Sequence, residues 1–248
     1  LTGLGVAALG VSAPDGLLVA FDRPEPTFRH EKDPTYKAQR EAAPDILRQQ
    51  MGLVREVLSA LHITTLDLVG WEADDIIATL AEQAKAAGHD VVIVTGDRDS
   101  YQLVHDPHVR VLYNKRGVSD YALYDEAGIL EKTGVTPTIY PQYAALRGDP
   151  SDNLEGVPGV GEKTAAKLLN QYGSLDGIFA NVDAQTPKLK ASLIEHDLVE
   201  RGVNGHYRLG VKLLRLGDRV RSQTGFQREA RPLVERLRNP ASEPGRTR

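Results

Sequence analysis

Three short runs rich in β-branched residues constrain this chain most: LLVAF at 17–21, VVIVT at 91–95 and VRVLY at 109–113. Each suits one buried strand and is too short for a helix. Between the first two, ILRQQMGLVREVLSAL (46–61) repeats Leu47, Met51, Val54, Leu58 and Leu61 at helical spacing. ADDIIATLAEQAKAAG (73–88) does the same with Ile76, Ile77, Leu80 and Ala84, and Gly88 supplies a C-terminal cap. Strand, helix, strand, helix, strand predicts an α/β fold with a mostly parallel central sheet flanked by helices. From about Gly134 the strong segments (PTIYPQYAALRG, EKTAAKLLNQYG, PKLKASLIEHDL) all read as helices. The expected organisation is an α/β core at 1–133, a helical subdomain at 134–214 and an arginine-rich, flexible tail at 215–248, where periodicity fades after Val220.

Composition narrows the chemistry. With 248 residues, 41% of them hydrophobic, the chain can bury a substantial core. It has no cysteine, which excludes disulfides, zinc–thiolate sites and iron–sulfur clusters and leaves oxygen or histidine ligands for any metal. That favours magnesium or manganese. The longest uncharged stretch, residues 1–14, has no basic start and is too short to span a bilayer, so a cytoplasmic protein without membrane contact is expected. The formal net charge of −4 argues against a chain coated in basic residues, and local clusters must decide any nucleic-acid role.

The carboxylates form four groups. Asp22 follows the first strand; Glu72, Asp74 and Asp75 open a helix; Asp97 and Asp99 follow the next strand in TGDRDSYQL; Asp149 and Asp152 lie in RGDPSDN. Each group alone is explained as a helix cap or a macrodipole partner. Together they read differently, since Asp22, Asp97 and Asp99 would converge with the helix start at 72–75 along the edge where the C-terminal ends of parallel strands meet and sites form. So many acids repel one another, and divalent cations remove the repulsion. Two such ions about 4 Å apart bind a scissile phosphate and generate the attacking hydroxide.

Next to the last acid pair stands GVPGVGEKT (156–164). It fails as a nucleotide phosphate loop, because Glu162 separates Gly161 from Lys163 and no strand precedes it. It reads better as a helix-hairpin-helix, in which Gly156, Gly159 and Gly161 let a nucleic-acid backbone approach and the helix start at Lys163 and Thr164 offers amides to phosphates. Such contact carries no base specificity. A third feature, at 23–45, interleaves Arg23, Arg29, Lys32, Lys37 and Arg40 with Phe28 and Tyr36. Acids in the same segment nearly balance these bases, so it reads either as a solvated loop or as a surface for single-stranded nucleic acid.

VAFD…TFRHE…TYKAQR, GWEADDIIATLA, VTGDRDSYQLV and ALRGDPSDNLEGVPGVGEKTAAKLL, in that order between about Val19 and Leu198, resemble the 5′-nuclease (flap endonuclease-like) family. The likeness is greatest to the 5′→3′ exonuclease domain at the N-terminus of bacterial DNA polymerase I. It implies a structure-specific, monomeric 5′→3′ exonuclease and flap endonuclease of replication and repair, nucleoid-associated, using two Mg2+ or Mn2+ ions. Its substrates would be DNA with a 5′ flap, a nick or a single-stranded 5′ end, and RNA-primed DNA. Carried over onto this chain, Asp22, Glu72, Asp74 and Asp75 belong to one metal's side and Asp97, Asp99, Asp149 and Asp152 to the other, some acting through water. Lys37 and Arg40, beside Tyr36, match the catalytic basic residues of a mobile arch that passes the 5′ strand, and the glycine loop matches a duplex-binding hairpin that a potassium ion assists.

The chain also departs from the family. Members begin with a strand of the form Leu-Val-Asp-Gly that ends in a metal-binding aspartate, and nothing of that form precedes LLVAFD. Asp15 follows SAP and precedes the strand, so it is no substitute. The resemblance therefore implies either a fragment or a protein without one central strand and one ligand, with an unpaired gap in its sheet. A catalytically impaired module that binds flaps or duplex is the alternative. A toxin-type ribonuclease with a similar acidic site is disfavoured by the glycine hairpin.

Overall fold

The computed structural model describes residues 14–41, 44–116, 120–195, 199–201 and 207–209. The tail expected at 215–248 lies outside them, as do residues 1–13 of the uncharged stretch. The chain is mixed α/β followed by a helical part, as the sequence implies. Strand β1 (Leu18–Ala20) pairs in parallel with β2 (Thr64–Leu66), Val19 opposite Thr65. Strand β3 (Val91–Thr95) pairs in parallel with β4 (Val109–Arg116), which pairs antiparallel with β5 (Asp120–Tyr124). The single sheet expected is thus divided in two. Helix α3 (Ala73–Ala86) packs on both β1 and β3, yet among the described residues no ladder joins those strands.

Two further helices precede α3: α1 (Phe28–Lys32) and α2 (Asp45–Ala60). Helix α2 forms where its spacing predicts, but Leu47, Met51 and Val54 are 45%, 42% and 42% exposed and only Leu58 of the repeat is half-buried. The reason is geometric. Its 16 residues rest on the three of β2, so a strand of about 10 Å lies under a helix of about 24 Å.

After β5 come α4 (Glu126–Thr133), started by the Asp125 cap and ended at Gly134 with φ +78°, then α5 (Tyr140–Arg147). A small ladder of β6 (Gly148–Asp149) and β7 (Leu154–Glu155) encloses a 3-10 turn at Pro150–Asp152. Helices α6 (Glu162–Tyr172), α7 (Leu175–Ala180) and α8 (Pro187–Glu195) follow, then the pair β8 (Val199–Arg201) and β9 (Tyr207–Leu209). One apolar core runs from Ile93, Val109 and Val111 through Tyr101, Tyr140 and Tyr143 to Leu168, Leu169 and Ile178. Tyr101 is fully buried and meets the rings of Tyr124 and Tyr140 edge-on at 5.5 Å. Its own 3-10 helix (Arg98–Leu103) starts at Asp97, so the carboxylates after β3 are bolted to the helical part. No described helix is long and apolar enough to cross a membrane.

Candidate metal and nucleic-acid site

Capping and convergence, alternatives at the level of sequence, coexist here. Asp22 Oδ1 accepts the Ala73 amide at 2.7 Å and so caps α3. Asp97 accepts the Asp99 amide at 2.8 Å, and Asp149 Oδ1 accepts the amide and hydroxyl of Ser151 at 2.9 and 2.6 Å. The same acids still press on one another. Burial, with Asp97, Asp22 and Glu72 nearby, pushes Asp74 up to about 7. Burial, with Asp97, Asp149 and Asp152 nearby, pushes Asp99 up to about 6. Asp97 thus lies between two acidic groups, one around α3 and one around the 150–152 turn.

Basic side chains close over this cluster. Arg29 Nη1 and Nη2 both donate to the Asp75 carboxylate at 2.7 Å, and Nη1 lies 3.7 Å from Glu72. Lys37 Nζ donates to Glu72 Oε1 at 2.9 Å and lies 3.9 Å from Asp152 Oδ2. Arg40 pairs with Asp152 through Nη2 and donates from Nε to the Ser151 carbonyl at 3.1 Å. The Tyr36 hydroxyl lies 3.0 Å from both Glu72 Oε2 and Asp152 Oδ2, and burial leads the causes that raise its pKa.

Tyr36 is 4% exposed, with its hydroxyl turned to the carboxylates. The 23–45 segment contacts α3 and the 150–153 loop; α1 and a turn at 34–39 are its only regular parts among the described residues before α2 begins at Asp45. Phe28 packs against Trp71 at 5.1 Å between centroids, with Arg29 4.6 Å over its ring. The donor set suits a hard divalent cation in kind, being all oxygen and mutually repelling. As placed, no three of these acids among the described residues stand close enough to hold one ion, and Arg29, Lys37 and Arg40 engage Asp75, Glu72 and Asp152.

The glycine loop is built by close approach. A Cβ on Gly148 would lie 2.2 Å from the Gly156 amide nitrogen, and one on Gly156 would lie 2.4 Å from the Arg147 carbonyl oxygen. Val157 donates to the Leu146 carbonyl at 2.8 Å, and the Ser192 hydroxyl donates to the Pro158 carbonyl at 3.0 Å, which ties the turn to α8. The result is a shallow hollow of about 550 Å³ lined by Arg147, Glu155 and residues 156–161. Gly161 caps α6 without a side-chain acceptor, and Lys163 and Thr164 in its first turn are exposed. Gly159, at φ +82°, is exposed as well. Glu162 meets Arg98 at 2.5 Å and Arg147 at 3.7 Å, linking the carboxylate loop to the hairpin. Nothing in the sequence singles out Arg98 except its place as a cation between Asp97 and Asp99.

A split α/β unit that gathers acids at its strand ends, joined through one core to a helical unit with a glycine turn, places the chain in the 5′-3′ exonuclease family, to which it belongs. The N-terminal, resolvase-like domain of that family matches residues 6–134, and its C-terminal SAM fold matches residues 135–201. Over 192 residues the chain is 50% identical to DNA polymerase I of Mycobacterium tuberculosis, covering 77% of this chain and 21% of that protein. To DNA polymerase I of Bacillus caldotenax it is 44% identical over 189 residues, covering 76% and 21%. The chain therefore spans about a fifth of the length of these curated relatives. Among solved structures, a phage T5 5′-exonuclease with bound zinc aligns with a TM-score of 0.61 at 22% identity, covering 76% of this chain and 71% of that one. The catalytic core of Rad2 in complex with a DNA substrate aligns with a TM-score of 0.50 at 19% identity, covering 75% and 61%. At these identities the likeness is one of fold.

Proposed function

We propose that this chain hydrolyses DNA phosphodiesters as a structure-specific 5′→3′ exonuclease and flap endonuclease that removes 5′ flaps and RNA primers. The observation that carries this reading is the pair of acidic groups joined at Asp97, with the pKa of Asp74 and of Asp99 raised by burial and by the neighbouring acids. Asp22, Glu72, Asp74 and Asp75 would hold one divalent ion and Asp97, Asp99, Asp149 and Asp152 the other, directly or through water. When bound, Mg2+ or Mn2+ ions polarise the scissile phosphate and lower the pKa of the attacking water.

The remaining tasks fall to the chain. Lys37 and Arg40 bind the phosphate to be cut and offset the charge that grows on it. Tyr36, lying between Glu72 and Asp152, positions those carboxylates. The turn at 156–161 and the start of α6 hold duplex backbone without reading bases, with Lys163 and Thr164 at the phosphates and hairpin carbonyls available to a potassium ion. The test is cleavage of a 5′-labelled flap duplex in magnesium and in EDTA, with an Asp97→Ala, Asp99→Ala control. Magnesium-dependent products that vanish in the control support the reading. Flap binding without cleavage, unchanged by EDTA, would make the chain a binding module instead.

A further inference from the structure

The turn at 35–40 is held by contacts that all lead to one place. The Lys37 amide donates to the Asp152 carbonyl at 3.1 Å, Asn153 Nδ2 to the Thr35 carbonyl at 2.8 Å, and Gln39 Nε2 to the Pro150 carbonyl at 2.8 Å. Lys37 adopts φ +55°, a left-handed conformation uncommon for a residue with a side chain, so these contacts hold a backbone shape that it does not favour alone. From this turn Lys37 reaches Glu72 and Asp152 while Arg40 takes the other oxygen of Asp152. Two carboxylates from different elements, one in each acidic group, are thereby neutralised by two cations from a single turn.

We propose that the 36–40 turn is a strap that divalent cations displace: it neutralises Glu72 and Asp152 until the ions of the two acidic groups take their oxygens, and the exchange frees Lys37 and Arg40 for the phosphate of a DNA strand. The proposal rests on the nuclease reading above. The single positive charges of Lys37 and Arg40 leave as divalent ions arrive at the two acidic groups, so the carboxylates remain compensated in both states. Tyr36, buried at the start of the turn, anchors its near end. While the strap is closed it competes with the ion, and divalent affinity falls by the fraction of time the strap is open.

The test uses the full chain without DNA. Mn2+ is titrated calorimetrically into the natural sequence and into Lys37→Gln, Arg40→Gln, with circular dichroism as the check on folding. A strap closed about nine-tenths of the time predicts Mn2+ binding about tenfold tighter in the variant. In the natural sequence, Mn2+ also speeds hydrogen exchange at the amides of 36–40. Equal or weaker Mn2+ binding by the folded variant overturns the strap and leaves the nuclease reading standing. No Mn2+ binding by either folded protein overturns both. Should the variant not fold, exchange in the natural sequence decides alone, and rates at 36–40 that Mn2+ leaves unchanged overturn the strap.

Discussion

Arg29 holds both oxygens of Asp75 at 2.7 Å from 46 positions away, which fastens α1 to the first turn of α3. The partners are 17% and 9% exposed at the side chain, so this is a nearly buried, bidentate pair. Asp75 Oδ2 also accepts the Glu72 amide at 2.9 Å, and the same carboxylate therefore starts the helix that carries Glu72 and Asp74. Arg29→Ala leaves the Asp75 charge uncompensated and is expected to cost about 3 to 5 kcal/mol. Urea denaturation measures it. A loss below about 1 kcal/mol would show the pair behaving like one on the surface.

What was legible in the sequence follows from local physics. β3 lies where five β-branched residues run together, α3 ends where Gly88 takes φ +76°, and α5, α6 and α8 fall within the segments that read as helices. The three residues of β2 carry too little alternation to be seen, and β5 reads as a mixed polar segment. The partners of the acids were not legible. Lys37 meets Glu72 across 35 positions and Arg40 meets Asp152 across 112, and no local pattern announces such pairs. That eight carboxylates stand in four groups is readable in the sequence, whereas which of them cap helices and which are engaged by cations required the fold.

The raised carboxylates set a pH dependence. Asp74 is lifted from its ordinary 3.8 to about 7 and Asp99 to about 6, in each case by burial first and neighbouring acids second. Their stabilising contribution is fully present below 3.8 and is lost as pH rises through those values. Asp74→Asn removes the titration. The variant should match the natural sequence in stability near pH 4 and exceed it by on the order of 2 kcal/mol above pH 7. Denaturation across pH 4 to 8 checks this; a difference that stays flat with pH contradicts the assigned repulsion.

Gly148 and Gly156 cross with no room for a side chain. Gly148 sits at φ +79° and ψ 171°, a conformation open only to glycine, and its missing Cβ would collide with the Gly156 backbone. Gly148→Ala is expected to cost about 2 to 4 kcal/mol, because neither backbone can yield without moving Asp149. Gly161→Ala is the control, since nothing lies within 4 Å of its Cβ position and it should stay within about 0.5 kcal/mol of the natural sequence. Thermal denaturation separates the two, and equal effects would show that the crossing is looser than its contacts indicate.

The exposed start of α6 makes a separate prediction about DNA. Lys163 is in the first turn beyond the Gly161 cap, where amides and a side-chain cation can meet the same phosphate. A contact of that kind releases one counterion and ignores base identity. Lys163→Ala should weaken flap-duplex binding equally across unrelated sequences and make the slope of log affinity against log salt shallower by about 0.9. Arg98→Ala, which leaves Glu162 only its longer contact with Arg147 at 3.7 Å and so lets it repel the incoming phosphate more, should weaken binding in the same sequence-independent way without removing a phosphate contact, so its slope should change less. Fluorescence anisotropy at several salt concentrations distinguishes these effects, and a Lys163 variant whose loss depends on sequence would rule out backbone contact at this turn.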